Sequence, residues 1–227
     1  MRLLSNEPAT PSTRIVRVAL DGVPYSYRAG QAASVGLSAS GRLTPYSIAS
    51  APHDTTEHGY LEFLVKVDGS NRFGAIVADL EPGTPMFVTP ASGQFGLPSA
   101  LSRGALLFIA GGTGIAPMRS MIREVIHRDP DHRPALIYSA RTPDEFAYLD
   151  ELRELADEGR IALRLTLTGD SKEWLHARGR TGTEHLEGLI TPDTLSFICG
   201  PPAMVTELPR TLVSLGLSRD RIRTEHW

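Results

Sequence analysis

A glycine-rich stretch at residues 111–117 (GGTGIAP) contains residue types suited to holding a phosphate group. It follows an apolar run and opens a helical pattern, so its glycines can adopt positive φ and let a ligand approach the backbone. The helix that follows would offer N–H groups and a partial positive charge at its N-terminus. A glycine turn that only lets a strand and a helix pack closely has the same appearance, and both interpretations stay open.

Polar residues follow three other apolar runs of the chain. Ser139 and Arg141 come after ALIY, Thr168 after LRLTL, and Cys199 after LSFI. If these runs are parallel strands, their carboxyl ends share one edge, which is where such sheets bind ligands. A serine and an arginine beside a phosphate-binding turn suit an adenine-linked ribose or a 2′-phosphate. The alternatives are a surface ion pair for Arg141 and a small buried hydrophobic side chain for Cys199.

A third stretch, TPYSIAS at residues 44–50, has the pattern of a half-buried strand with a proline near its start. Its small residues are spaced so that a neighbouring group can approach the backbone closely. Tyr46 and Ser47 are adjacent in it, and the residues alone leave open which group approaches them. The alternative for Tyr46 is a tyrosine in a protein core.

The elements that hold TPYSIAS are predicted to be strands. Up to about residue 97, the short apolar runs RIVRVAL, PYSIAS, YLEFLVKV and PMFVTP alternate with Gly, Pro and Ser. This pattern is typical of an all-β sandwich or barrel. One helix is predicted at residues 73–80 (FGAIVADL), where the following EPGT ends it.

The rhythm changes from residue 106 onward. ALLFIAGG, ALIYSA, RIALRLTLTG and TLSFICG are predicted strands, and helical patterns at PMRSMIREVIHR, residues 144–159 and AMVTELPRTLVSLG separate or follow them. Strand–helix alternation indicates a parallel sheet with crossover helices. The boundary is expected within residues 96–104, which gives a β domain at 1–99 and an α/β domain at 100–227.

Composition limits the classes of function. The net charge of −3 includes no basic cluster, so nucleic acid is not an expected partner. The single cysteine excludes a disulfide within the chain and a cysteine-ligated iron–sulfur cluster, and the seven histidines show no metal-ligand spacing. Without a signal-like segment or an apolar run of membrane-spanning length, the sequence predicts a soluble cytoplasmic protein without a membrane partner.

Four motifs together resemble those of a known family. PYSIAS, GGTGIAP, YSAR and CGPP, in this order and at these separations, are similar to the ferredoxin–NADP reductase superfamily, and the resemblance covers residues 14–227. It implies an N-terminal six-stranded antiparallel barrel that binds a flavin. It also implies a C-terminal doubly wound α/β domain that binds NAD(P), with no fused ferredoxin domain.

By this resemblance TPYSIAS is the flavin-binding strand. Tyr46 is expected against the flavin ring, and Ser47 is expected to place its hydroxyl near the reactive flavin N5. Thr44 stands where the family has an arginine on the flavin phosphate, and Arg42 and Arg72 are candidate replacements. FAD is expected, because the helix at residues 73–80 gives its pyrophosphate a seat. The implied flavin-binding residues are Thr44, Pro45, Tyr46, Ser47, Val65, Lys66, Val67, Phe73, Gly74, Ala75 and Trp227.

The last residues, Glu225 to Trp227, resemble the Glu-x-Tyr of plant-type reductases, with tryptophan in place of tyrosine. The resemblance implies that Trp227 stacks on the flavin until nicotinamide displaces it. It also implies that Glu225 lies by the nicotinamide, as a proton-relay carboxylate or a surface charge. The alternative for this segment is a frayed tail.

The resemblance implies NADPH as the electron donor, with NADH as the alternative. NADPH-specific members often carry an arginine where Gly169 follows Thr168, so Arg180 or Arg178 would have to compensate. The implied nicotinamide-nucleotide residues are Gly112, Thr113, Gly114, Pro117, Ser139, Arg141, Thr168, Arg180, Gly200 and Pro201.

The predicted function is that of an FAD-dependent NADPH reductase. Hydride is expected to pass to the flavin among Ser47, Cys199 and Glu225, and electrons then pass to an external ferredoxin or flavodoxin. Candidate contacts of that carrier are Lys66, Arg72 and Arg103. The alternatives are an NADH-dependent reductase component of an oxygenase, a reductase of free flavin, ferric ion or quinone, and a relay subunit that is inactive without partners.

Overall fold

The first part of the chain forms antiparallel strands in a computed structural model that describes residues 1–67, 72–101 and 104–226, the side chain of Arg72 excepted. The strands are β1 Arg2–Thr10, β2 Thr13–Ala19, β3 Ala32–Gly36, β4 Thr44–Ser47, β5 Tyr60–Lys66 and β6 Phe87–Val88. Two helices lie among them, α1 Pro52–His58 and α2 Arg72–Val77.

These strands close into a six-stranded barrel. They form two three-stranded sheets, in the orders β1-β2-β5 and β4-β3-β6. A bridge between Ile48 and Phe63 joins β4 to β5, and a bridge between Arg2 and Pro85 joins β1 to the segment that enters β6. Closure leaves no sheet edge open, which is how small all-β units avoid unpaired strands. The barrel fold implied by the resemblance is confirmed.

The barrel interior is filled by the alternate side chains that the strand pattern points inward. Val16 and Val18 of β2 and Phe63 and Val65 of β5 are fully buried, and Tyr46 of β4 belongs to the same cluster. Each fully buried aliphatic or aromatic side chain stabilises the fold by about 1.5–3 kcal/mol. The interior is therefore a packed core, and a ligand of this domain must bind at its rim.

The second part of the chain forms a six-stranded parallel sheet covered by helices. Its elements are β7 Leu106–Gly111, α3 Ile115–Arg128, β8 Ala135–Ala140, α4 Leu149–Asp157, β9 Ala162–Leu167, β10 Ala177–Arg178, α5 Thr183–Leu186, β11 Leu195–Gly200, α6 Pro202–Ser214 and β12 Ile222–His226. The predicted α/β architecture is confirmed, while the division of the chain between residues 99 and 100 stays a prediction.

The strand order locates the ligand-binding crevice of this sheet. The order is β10-β9-β8-β7-β11-β12, so the chain runs outward from β7 in one direction and then returns to β11 on its other side. The carboxyl ends of β7 and β11 therefore meet at a topological switch point, where open α/β sheets bind ligands. GGTG follows β7 and CGPP closes β11.

The sequence analysis missed six elements, namely β1, β3, α1, β10, α5 and β12. β1 has polar residues and a proline, and irregularities at Leu3/Ser5 and Pro8/Thr10 interrupt its alternation. α1 is short and polar, with Pro52 in its first turn, so the statement that one helix interrupts the barrel is wrong. β12 pairs in parallel with β11, so a frayed tail is also wrong for residues 222–226.

Two helices are shorter in the structure than the sequence predicts. The helix predicted at residues 144–159 begins only at Leu149, because Tyr148 has a left-handed φ of 59°. The helix predicted at residues 73–80 ends at Val77. In the part of the chain that the structure describes, no helix has the length and apolar character needed to cross a membrane.

Candidate functional site

The GGTG turn and the end of β11 are packed directly against each other. A Cβ on Gly114 would lie 2.1 Å from the carbonyl oxygen of Cys199, and one on Gly200 would lie 2.8 Å from Met204 Sδ. The packing interpretation therefore holds for Gly114. Gly112 is different, because it has a φ of +55° and no atom within 4 Å of its Cβ position. Its exposed backbone and the half-buried Thr113 leave one side of the turn open to a ligand.

Residues from distant parts of the chain meet beside this turn. The Ser47 hydroxyl at the end of β4 lies 3.5 Å from Glu225 Oε2 in β12, at the long end of hydrogen-bond distances. Glu225 is the register partner of Cys199 across the β11–β12 pair. All three predicted catalytic residues are thus brought to the junction of the barrel and the sheet.

Cys199 differs from its neighbours because its side chain is fully buried in the core of the α/β domain. This placement agrees with the alternative of a small buried hydrophobic side chain. What the residue presents to the junction is its backbone, whose carbonyl oxygen lies against Gly114. The pair of Ser47 and Glu225 is the polar part of the junction.

The barrel residues predicted to hold the flavin differ in their packing and exposure. The ring of Tyr46 lies 5.8 Å from the ring of Phe73, at an interplanar angle of 56°. Thr44 is half-buried and Pro45 is exposed. In the neighbouring segments, Val65, Phe73 and Gly74 are buried, Val67 is half-buried, and Lys66 and Ala75 are exposed.

Arg42 and Arg72 are the candidate replacements for the arginine that the family has at the position of Thr44, and the structure describes the side chain of only the first. Arg42 is exposed in the loop before β4, which begins at Thr44, so strand alternation gives no information about its direction. The side chain of Arg72 lies outside the described residues, and so do Arg103 and Trp227. Their predicted roles stay predictions.

At the carboxyl ends of β8, β9 and β10, positively charged residues flank Thr168. Arg141 and Arg180 are both exposed there. A Cβ on Gly169 would lie 2.4 Å from the carbonyl oxygen of Arg141, so this backbone excludes any side chain at that position. Arg178 holds its own loop, since it donates to the Trp174 carbonyl oxygen at 2.9 Å and to that of Ser171.

The remaining predicted nucleotide-binding residues also lie at or near this edge. The Ser139 hydroxyl is buried and donates to the Ala110 carbonyl oxygen at 3.2 Å. The Thr168 hydroxyl donates to the Ala140 carbonyl oxygen, also at 3.2 Å. Pro117 is buried in the first turn of α3, whereas Pro201 is exposed beside CGPP.

A charged network that the sequence analysis missed joins the barrel to α3 and α4. Arg119 donates to Glu62 Oε1 at 3.0 Å and to Glu151 Oε2 at 2.7 Å. Arg123, one turn further along α3, makes two bonds of 2.7 and 2.8 Å to Asp54 and one of 2.8 Å to Glu151. The signal in the sequence was the spacing of the two arginines, which places them on one face of α3.

These contacts shift the pKa values of the network residues. Burial acts to raise the pKa of Asp54, but bonds from Arg123 and from the Ala51 N–H outweigh it, so the pKa is lowered. Burial acts to lower the pKa of Arg119, but the charges of Glu151 and Glu62 outweigh burial and raise it. Both shifts favour the charged form of the side chain. Among the described residues, no group of three His, Cys, Asp or Glu side chains is arranged to hold a metal ion.

Comparisons with known proteins agree with this arrangement. Residues 108–209 match the family model of the oxidoreductase NAD-binding domain. The chain is 30% identical over 236 residues to NADH-cytochrome b5 reductase 1 of Eremothecium gossypii, covering 96% of this chain and 79% of that protein. It is 29% identical over 240 residues to ferredoxin–NADP reductase B of Sorangium cellulosum, covering 100% and 96%.

A solved structure has the same fold over nearly the whole chain. Cytochrome P450 reductase GcoB of Amycolatopsis superposes with a TM-score of 0.85 at 25% identity, covering 99% of this chain and 68% of that one. The chain spans 66, 65 and 55% of the length of three other curated relatives that it matches. The barrel and the crevice at the switch point agree with matches to relatives that cover 96% and 100% of this chain. The chain therefore belongs to the ferredoxin–NADP reductase superfamily of FAD- and NAD(P)-binding oxidoreductases.

Proposed function

We propose that this protein takes a hydride from NADPH onto FAD and passes the electrons to a separate acceptor protein. The observation that carries the proposal is the meeting of Ser47 and Glu225, whose side-chain oxygens lie 3.5 Å apart although the residues are 178 positions apart in the chain. One belongs to the strand expected to hold the flavin. The other lies beside the crevice of the NAD-binding sheet, so the junction is suited to bringing two ring systems together.

The residues of the barrel rim fit a flavin. Tyr46 and Phe73 form an aromatic pair next to Ser47, and the buried Gly74 follows Phe73 without a side chain. Tyr46 and Ser47 would hold the ring system, and the backbone at Val65 to Val67 would line it. When bound, FAD supplies the chemistry that converts a two-electron hydride donor into a source of single electrons.

Ser47 and Glu225 have separate tasks in this proposal. Ser47 is 6% exposed and ends the strand expected to hold the flavin, whereas Glu225 is half-buried. Ser47 would therefore hold a proton at the ring, and Glu225 Oε2 would exchange that proton with solvent. The backbone of Cys199 would form the wall against which the nicotinamide lies.

The charged edge of the sheet supports NADPH over NADH. Arg141 and Arg180 are exposed on either side of the carboxyl end of β9, where Thr168 offers a hydroxyl. Gly169 cannot be replaced by the arginine of NADPH-specific members without moving the backbone of Arg141. The phosphate-binding charge would therefore come from the neighbouring strands.

A ferredoxin or flavodoxin is the proposed acceptor, and the exposed Lys66 lies at the end of β5 to meet an acidic surface. An oxygenase component is the second candidate. One observation favours this candidate. Two curated relatives, of which this chain covers 66% and 55%, are named as the reductase subunit of one monooxygenase and the electron transfer component of another.

An anaerobic absorbance titration of the FAD-saturated protein tests the proposal. NADPH is expected to bleach the flavin band near 450 nm promptly, and NADH is expected to do so more weakly. Arg141→Ala and Arg180→Ala should each reduce the preference for NADPH, with Arg153→Ala, an exposed arginine of α4, as the control. Equal bleaching by NADH would reject the 2′-phosphate site, and no bleaching by either nucleotide would reject the reductase.

The acceptor is tested by adding it to the reduced protein. A ferredoxin, a flavodoxin and a small dye are offered in turn at low and high salt. Fast reduction of a carrier that slows as salt rises supports the docking of an acidic protein. Reduction of the dye but of neither carrier protein would favour a small-molecule reductase. Inactivity with the dye and with both carrier proteins would favour a relay subunit that needs partners.

A further inference from the structure

The side chain of Arg119 joins the helix that follows the GGTG turn to the strand that follows Tyr46 and Ser47. Its Nη1 donates to the carbonyl oxygen of Ala49 at 2.9 Å, two residues beyond Ser47. The same nitrogen donates to Glu62 in β5 at 3.0 Å, and Nε donates to Glu151 in α4 at 2.7 Å. The guanidinium carbon also lies 4.5 Å from the centroid of the Tyr148 ring. Arg119 thus links the barrel with two helices of the α/β domain.

Packing around this contact is close. Ala49 is fully buried, Ser50 is 2% exposed, and Ser120 of α3 is fully buried. The Ser120 hydroxyl donates to the Ser50 carbonyl oxygen at 2.7 Å. The small residues of TPYSIAS therefore admit helix α3 on one side of the strand. Two adjacent residues of α3 hold two adjacent carbonyl groups of that strand.

We propose that Arg119 is a positioning residue that sets the distance between the nicotinamide crevice and the flavin strand. The inference rests on the hydride transfer proposed above. Arg119 stands five residues beyond Gly114, in the second turn of the helix that the GGTG turn opens. A rigid link from there to Ala49 and Glu62 fixes the turn relative to Ser47. Hydride transfer is sensitive to such placement, because a misplacement of about 1 Å can cost about 100-fold in rate.

The neighbouring Arg123 provides a matched control. It lies on the same face of α3 and also binds Glu151, at 2.8 Å. Its barrel partner is the side chain of Asp54 in α1, so it makes no described bond to β5 or to the backbone of residues 48–50. Loss of Arg123 therefore weakens the same domain interface without releasing the flavin strand.

The test compares Arg119→Met, Arg119→Lys and Arg123→Met in the full chain loaded with FAD. Stopped-flow absorbance gives the rate of flavin reduction at saturating NADPH and the Kd of NADPH, and thermal melting gives Tm. Arg119→Met should slow reduction by about 10- to 100-fold, with FAD content and Kd within about twofold of the wild type. Arg119→Lys should recover part of the rate, because a lysine keeps the charge but lacks the planar guanidinium group that reaches Ala49, Glu62 and Glu151 together. Arg123→Met should lose stability while keeping the wild-type rate.

A second measurement uses the protein without FAD and does not depend on its activity. Amide hydrogen exchange of the FAD-free chain should speed up at residues 48–50 in Arg119→Met and stay unchanged there in Arg123→Met. If Arg119→Met does not fold, a several-fold rate loss in Arg119→Lys at unchanged Kd takes its place. Arg119 variants that lose Tm but reduce flavin at the wild-type rate would overturn the inference alone. A wild type that NADPH does not reduce would overturn the proposed function and the inference together.

Discussion

At Gly114 the backbone of β11 leaves no room for a side chain. Any side chain there would collide with the carbonyl oxygen of Cys199, at 2.1 Å from the Cβ position. Gly112, two residues earlier, has open space around it but requires a left-handed backbone. The two glycines of one motif thus serve different purposes, the first exposing the backbone and the second allowing β11 to approach.

Gly114→Ala is expected to destabilise the protein by about 1–3 kcal/mol, because the backbone of Cys199 must move to admit the methyl group. Gly112→Ala should cost only about 1 kcal/mol, the strain of a left-handed alanine. Chemical denaturation of both variants measures the difference. A Gly114→Ala variant as stable as Gly112→Ala would contradict this account of the turn.

Ser47 and Glu225 are expected to act as a pair in flavin reduction. Ser47→Ala and Glu225→Gln should each slow reduction by NADPH by about 10- to 100-fold, because each removes one partner of the contact that would orient the nicotinamide and the flavin at the junction. The double variant should be little slower than either single one, as two residues of one unit are not additive. Thr224→Ala, an exposed neighbour in β12, is the control and should keep the wild-type rate. Additive losses in the double variant would show that the residues act independently.

At the scale of elements, the Asp54 carboxylate is one of the groups that join α1 to α3, beside the contacts of His53 with Glu124 and His127. Asp54 of α1 accepts two bonds from Arg123 and one from the N–H of Ala51 at 3.0 Å. These bonds lower its pKa below the ordinary value of 3.8. A lowered pKa means that the stabilisation is complete above that value and is lost as pH falls through the folded-state pKa.

Asp54→Asn is therefore expected to lower the free energy of unfolding by about 1.5–3 kcal/mol at pH 7. The gap between variant and wild type should narrow as pH falls below about 3.8, since the wild-type carboxylate then becomes protonated. Urea denaturation between pH 7 and pH 3 measures this difference in the free energy of unfolding. Asp131→Asn, in an exposed loop, is the control. A gap that is constant over this range would show that charge on Asp54 is not what stabilises the contact.

At the scale of the whole molecule, the barrel and the α/β domain share a hydrophobic core. Ala49, Leu64 and Phe95 from the barrel side pack in one cluster with Met118 and Met121 of α3. The Arg119 and Arg123 bonds cross the same interface. Neither part can therefore open without exposing apolar surface of the other.

The FAD-free chain is expected to unfold in a single calorimetric transition because of this shared core. The calorimetric and van't Hoff enthalpies should agree, as they do for one cooperative unit. Breaking the interface with Arg119→Met should shift or broaden this transition, whereas the exposed-site variant Asp131→Asn should leave it unchanged. Two well-separated transitions in the wild type would mean that the domains are energetically independent.

Much of the fold could be predicted from local patterns. The buried strands β7, β8 and β11 and the glycine turn were predicted at nearly their observed positions, because apolar runs and glycines act over a few residues. β1 and α1 were missed because polar residues, a bulged register and short length hide their periodicity. β12 was missed because an edge strand with mostly exposed residues has no apolar run.

The sequence by itself determined the fold class and the order of the motifs, and it predicted which residues meet the flavin and the nucleotide. Only the tertiary structure decided that Ser47 reaches Glu225, that Gly114 is required by Cys199, and that Arg119 holds Ala49. The physical reason is range. Propensity and periodicity act between near neighbours, whereas these contacts depend on the register of parallel strands and on how α3 packs against the barrel, which no local pattern specifies.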